Sequence, residues 1–200
     1  MTPDRREQAK ADRWARILAA ATELFAEQGY DAVTTRDVAK AAGVGMGTLF
    51  RHAGSKPALL VHVMNDLLDE GVRRAGALVD GGASIGRASA AIVEPLIAEG
   101  ASHPQNLRAY QRETLFGAPD LRLLAVEHLT VLESTLVDLL AAHARRRPGV
   151  EASEVAHLVS AVVTMELIRA GAGRTPFDEV APRIERSVEL VLTGLLEPRP

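Results

Sequence analysis

Thr34-Thr35-Arg36-Asp37-Val38-Ala39-Lys40-Ala41-Ala42-Gly43-Val44-Gly45-Met46-Gly47-Thr48-Leu49-Phe50-Arg51-His52 reads as two short helices bent about a glycine. Thr34 or Thr35 can cap a helix over 36–42, and Gly43 can end it in the left-handed conformation that only glycine adopts cheaply. Val38, Ala39 and Ala42 form a small apolar face, Val44 fills the angle, and Leu49 returns to the core. The second helix, about 46–52, is then left with Met46, Thr48, Arg51 and His52 facing outward. A helix this short must offer its N-terminal end, where unpaired N–H groups suit phosphate. The spacing predicts a helix-turn-helix; a plain αα corner is the competing reading.

Helical periodicity continues on both sides. Ile17, Leu18, Ala21, Leu24 and Phe25 form one stripe that Gly29 stops. Ser55 caps a long helix reaching about residue 78, with Pro57 in its first turn, where a missing N–H costs little. After the break at Asp80-Gly81-Gly82, helices are expected at 84–101, 105–116, 120–146, 153–170 and 177–196. Pro104 and Pro119 stand at helix starts, Pro95 should kink the helix that contains it, and Arg145 to Gly149 form a connector. No segment alternates with period two and none repeats. The expectation is an all-α chain of about nine helices, with a three-helix helix-turn-helix domain over 1–56 and a helical domain over 57–200.

Composition narrows the function classes. The 200 residues include no cysteine, which excludes disulfides, thiol nucleophiles, iron–sulfur clusters and cysteine-based zinc sites. Only seven residues are aromatic, so Ala, Leu and Val must build the core. The most apolar stretches, 159–168 and 188–196, are too short to span a bilayer. The charged N-terminus has no apolar h-region, so a soluble cytoplasmic protein is expected. The net charge of −3 divides into +2 over 1–56 and −5 over 57–200, which directs any polyanion contact to the head. Arg5, Arg6, Lys10 and Arg13 are either an arm for phosphate or minor-groove contacts or a solvated terminus.

Ile17-Leu18-Ala19-Ala20-Ala21, Leu24-Phe25, Gly29-Tyr30, Thr34-Thr35, Val38-Ala39, Ala42-Gly43-Val44, Gly47-Thr48-Leu49-Phe50, His52, Ser55-Lys56 and Leu59-Leu60 resemble, in order and spacing, the TetR family of bacterial repressors. The resemblance covers about residues 13–63. It implies a symmetric homodimer on a double-stranded, palindromic DNA operator, with the short helix of each copy in the major groove. It further implies phosphate contacts from Thr34, Thr35, His52 and Lys56, a base or phosphate contact from Arg36, and base contacts from Met46 and Thr48. Phe50 stands where the family usually has Tyr, which keeps the packing and loses a phosphate-binding hydroxyl. Ala53 stands where a larger apolar residue is common. Gly45 and Gly47 leave few side chains to read bases, so DNA shape should contribute.

The resemblance also implies an inducer pocket and a dimer interface in the second domain. Tyr110, Arg112, Glu113, Phe116 and His128 are candidate polar and aromatic pocket groups, with Met64, Leu68, Ile92, Leu96, Leu124, Val131 and Met165 as walls. The ligand should be apolar and modest in size. Val155, Leu158, Val159 and Val162 on one helix, with Ile184, Val188, Val191 and Leu195 on the next, are the interface candidates; monomer core is the competing use. No catalytic residue, metal site or cofactor is expected. Glu154 and His157 form a single Glu-x-x-His, where a di-iron bundle needs two and further carboxylates. The competing function classes are a helical-bundle enzyme or metal protein, and a DNA-binding regulator without an inducer.

Overall fold

A computed structural model describes residues 5–143 and 147–196. The described residues form α1 (Arg5–Gln28), α2 (Thr35–Ala41), α3 (Met46–Ala53), α4 (Lys56–Asp80), α5 (Ile85–Ser102), α6 (Pro104–Phe116), α7 (Pro119–His143), α8 (Ala152–Gly171) and α9 (Phe177–Leu195). There is no β-strand among them, and no helix is long and apolar enough to cross a membrane.

The expected start signals act as capping chemistry predicts. Thr34 and Ser55 each accept a backbone N–H from the first turn of the helix they precede, and Ser84, expected as the first residue of its helix, caps it in the same way. Gly29 and Gly43 adopt positive φ, 76° and 63°, where the chain turns out of α1 and α2. α1 is described from Arg5, so Arg5, Arg6, Lys10 and Arg13 lie on a helix, the first three exposed. α5 runs through Pro95 without a break. Residues 144–146 of the expected helix end and connector lie outside the described residues. Arg147 is anchored, its backbone N–H donating to the Leu195 carbonyl at 3.1 Å and its Nε to the Leu196 carbonyl at 3.2 Å.

α5 is the central element, packed against α4 on one side and α9 on the other, with Ile92, Val93 and Leu96 fully buried. Small residues permit this. A Cβ on Gly71 of α4 would overlap the Ile92 carbonyl, and one on Gly86 would stand 2.8 Å from the Glu185 carbonyl. α4 joins the two halves: Leu59, Leu60 and Val63 near its start are buried in the same core that takes Ile17, Phe25 and Leu49.

A second tie comes from α6. Asn106 is fully buried, accepts the Tyr30 N–H at 2.5 Å, and donates to the Phe25 carbonyl at 2.9 Å and to the Glu99 carboxylate. It thus closes the exit of α1 against α5 and α6. Asn106→Ala strands the buried Tyr30 N–H, while the Phe25 carbonyl keeps the Gly29 N–H, and should lower the free energy of unfolding by about 1–3 kcal/mol in urea titrations. An unchanged midpoint would show that the amide carries no stability.

Candidate nucleic-acid interface and ligand cavity

α2 and α3 meet around Val38, Ala39, Ala42 and Leu49, all buried, with Val44 packed in the angle. Thr34 and Asp37 form a capping box: the Thr34 Oγ1 accepts the Asp37 N–H at 3.2 Å, and the Asp37 carboxylate accepts the Thr34 N–H at 2.9 Å and its hydroxyl at 2.5 Å. Those bonds hold the Asp37 carboxyl below its ordinary pKa. The Thr34 hydroxyl is therefore committed to the cap, which removes it as a ready phosphate donor. Thr35 and the exposed Arg36 follow in the first turn of α2.

The N-terminus of α3 is bare. Its N-cap is Gly45, with no side-chain cap, and a Cβ on Gly45 or Gly47 would meet nothing within 4 Å. Nothing inside the chain requires glycine there; the effect is to leave backbone N–H groups open to an outside partner. Met46 is placed differently from the expectation. It lies one turn before the buried Leu49, on the same face, and packs half-buried against the core. The outward residues of α3 are Gly47, Phe50 and Arg51, flanked by the half-buried Thr48 and His52.

Beside this face runs a cleft lined by Arg6, Lys10 and Arg13 of α1 and by Thr48, Arg51 and His52 of α3. Its lining carries four cations and no carboxylate. The α1 cations recur at helical spacing on one face, which the sequence showed only as a mixed-charge run. Burial first, then Arg13, Lys10 and Arg51, hold the His52 pKa below its ordinary value. Lys56 is turned inward from its expected phosphate contact, its Nζ 4.2 Å from the centre of the Tyr30 ring.

A cavity of about 230 Å³ opens between α4, α5, α6, α7 and α8. Of the pocket candidates, Leu68, Ile92, Leu96, Tyr110, His128 and Val131 line it. The others do not. Met64 is fully buried core, Leu124 packs beside Ala58, Val61 and Leu121, and Phe116 and Met165 are 82% and 55% exposed. Arg112 pairs with Glu113 at 2.8 Å outside the lining. The reason is helix phase: Leu107, Tyr110, Gln111 and Thr114 share the inward face of α6, and Arg112 and Phe116 point off it. Asp69, Gln111, Thr114 and Thr164 are lining groups that the sequence reading missed; the three-and-four spacing could have found Thr114 from Tyr110 and Gln111 from Leu107.

The polar groups gather around α4. The Tyr110 hydroxyl donates to Asn65 Oδ1 at 2.8 Å, and burial pushes its pKa far up. His128 Nε2 lies 3.1 Å from Asp69 Oδ1 and 3.2 Å from the Asn65 carbonyl. One to two turns back along α4, His62 meets Trp14 of α1 edge-on at 4.9 Å, and Trp14 stacks on His52 of α3 with ring centres 6.3 Å apart. A chain of contacts thus leads from the α4 groups beside the cavity to α3, and the sequence reading missed Trp14 within it.

Four of the interface candidates, Val155, Val159, Ile184 and Val188, are fully buried in the monomer core. What α8 and α9 leave at the surface is Leu158, with Met165 two turns on, and Leu190, with Val162, Val191 and Leu195 half-covered. Glu154 accepts the Glu151 N–H at the start of α8, and His157 Nδ1 lies 3.2 Å from Glu133, so the Glu-x-x-His pair is in structural use. No group of three His, Asp or Glu able to hold a metal occurs among the described residues.

Residues 17–63 match the family model described as bacterial regulatory proteins, tetR family. The HTH-type transcriptional repressor KstR2 of Rhodococcus jostii is 39% identical over 61 residues, a match that spans 30% of this chain and 30% of that relative. Thermus thermophilus FadR, a TetR-family transcriptional repressor solved in complex with lauroyl-CoA, superposes with a TM-score of 0.70 at 23% identity, over 94% of this chain and 97% of that one. A TetR-family transcriptional regulator from Pectobacterium atrosepticum superposes with a TM-score of 0.67 at 22% identity, over 98% and 100% of the two chains.

Burial holds His62 below its ordinary pKa of 6.5 in spite of Asp66. The unfolded chain therefore takes up that proton first as pH falls, and the contribution of His62 to stability should fade on acidification below about pH 6.5. Asp66 is raised by burial and by Asp69, so it acts in the opposite sense in a more acid range. Urea melts followed by Trp14 emission should lose stability between about pH 7 and pH 5.5, and His62→Gln should flatten that slope; an unaltered slope would remove His62 from the explanation. Residues 17–63, with their helix-turn-helix, match the tetR family of bacterial regulatory proteins, and the whole chain shares the fold of the TetR-family regulators above.

Proposed function

We propose that two copies of this chain form a transcriptional repressor that reads a palindromic DNA operator through α3 and releases it when a small, largely apolar molecule fills the cavity. The observation that carries this is the placement of α4. Its first turns are buried among α1 and α3, and its middle turns supply Leu68, Asp69 and Val72 to the cavity. A ligand that prefers one tilt of α4 thereby biases the position of the reader, and can do so only through its difference in affinity for the two states.

On this reading the bare α3 N-terminus enters the major groove, with Thr48 and Arg51 toward bases and the α1 cations along the backbone. Phosphate contacts set the register and base contacts carry the sequence preference. Thr35, Arg36 and the open N–H groups of α3 supply the remaining anchors. The partner copy covers Leu158 and Met165 of α8 and Leu190 of α9, the apolar groups that the monomer leaves exposed. Two readers must then stand about 34–36 Å apart to enter successive major grooves. The repressor named KstR2 and the acyl-CoA-bound FadR support the two halves of this reading, DNA control and a ligand in the helical body.

Selection of bound fragments from a random duplex pool should enrich a palindrome with half-sites one or two helical turns apart; failure to enrich any sequence at low salt would overturn the reading. Against the selected duplex, Arg36→Ala should cost about 1–3 kcal/mol and relax one position. Replacing Arg6, Lys10 and Arg13 together by alanine should weaken all duplexes alike and reduce the salt slope by roughly 0.9 for each phosphate no longer neutralised. A change in base preference in the triple variant would instead place those side chains on base edges.

A further inference from the structure

We propose that the cavity selects a compact amphiphile with a hydrogen-bond-donating, neutral or cationic head, an alkyl ammonium best of all, and discriminates against fatty carboxylates and acyl-CoA. This rests on the reading of the cavity as the inducer site and deepens it.

Three of the donors around the cavity are already committed. The Tyr110 hydroxyl gives its proton to Asn65, the Gln111 amide donates to the Leu167 carbonyl at 2.7 Å, and the Thr114 hydroxyl donates to the Tyr110 carbonyl at 2.9 Å. What the Tyr110 and Thr114 hydroxyls still offer a guest is oxygen lone pairs, and the donors left are one Gln111 amide proton and the Thr164 hydroxyl. Asp69 adds the strongest acceptor: its Oδ1 faces His128 at 3.1 Å, and its side chain remains 45% exposed. A guest that brings the proton therefore meets the strongest partner the lining has, and a charged donor to a carboxylate makes the stronger bond.

Charge points the same way. No Lys or Arg is among the lining residues, so an anionic head would meet Asp69 without a fixed cation. Asp66, three residues earlier on α4, adds a second carboxylate, with His62 and His128 as neighbours and Arg73 on its own helix. A carboxylate or phosphate brought here would meet like charge in a largely apolar surrounding, where such repulsion is least screened.

Size completes the selection. A cavity of about 150 Å³ accommodates benzene. At that density the 230 Å³ here holds roughly eight to ten heavy atoms. Octylammonium fits that number, and a dodecanoyl chain exceeds it before its head is counted.

The test is calorimetric titration of the full chain with octylammonium, 1-octanol, octanoate and lauroyl-CoA, each below its micellar concentration, with Trp14 emission as a second readout. Octylammonium should bind tightest, at least tenfold above octanoate, with octanol between them. Asp69→Asn, nearly isosteric, should erase the ammonium preference. Octanoate or lauroyl-CoA binding as tightly as octylammonium would overturn the proposal, as would a preference that survives in Asp69→Asn. It would equally be overturned if none of the four bound; in that case operator selection, which needs no ligand, decides separately whether the regulatory reading stands.

Discussion

Asn106 uses both ends of its amide at the junction of the two halves, taking the Tyr30 N–H and giving to the Phe25 carbonyl and the Glu99 carboxylate. Without it the buried Tyr30 N–H would lose its partner, and such groups are costly to orphan. The exit of α1 is therefore fixed against α5 and α6, and with it the platform on which α2 and α3 are built. The next residue, Leu107, lines the cavity. One turn of α6 thus touches both the helix-turn-helix half and the cavity.

α4 supplies the parallel route. Its length spans from Leu59 and Leu60 in the head to Asp69 and Val72 at the cavity, and Gly71 lets it press directly on the α5 backbone. Along the same helix the ring contacts from His62 through Trp14 to His52 reach α3. Well-packed interiors pass displacement on instead of absorbing it. With two rigid ties, a ligand that moves α4 relative to α6 must strain one of them or tilt the head.

The head was legible in the sequence because its constraints are local. Thr34, Gly43 and Ser55 each act within three or four residues of their own position, and the apolar stripes of α1 and α2 need only helical period to be read. The helix boundaries of the body were legible for the same reason. The cavity was half legible. Side chains picked by chemical type, such as Arg112 and Phe116, fell on the wrong face of α6, whereas helical phase leads from Tyr110 to Leu107 and Thr114, and from Leu107 to Gln111. Asn106, Trp14 and Asp69 were not legible, since each takes its meaning from a partner far along the chain. Val155 and Ile184 look alike as core or interface residues until the packing of α5, α8 and α9 is known.

The central claim is that two copies hold α3 at successive major grooves of one duplex. Hydroxyl-radical cleavage of a duplex saturated with the full chain tests it most directly. Two protected blocks are expected, related by a two-fold axis and centred about 10 base pairs, or 34–36 Å, apart or at a multiple of that spacing. A single asymmetric block, or even protection along the whole duplex, would contradict a paired reader.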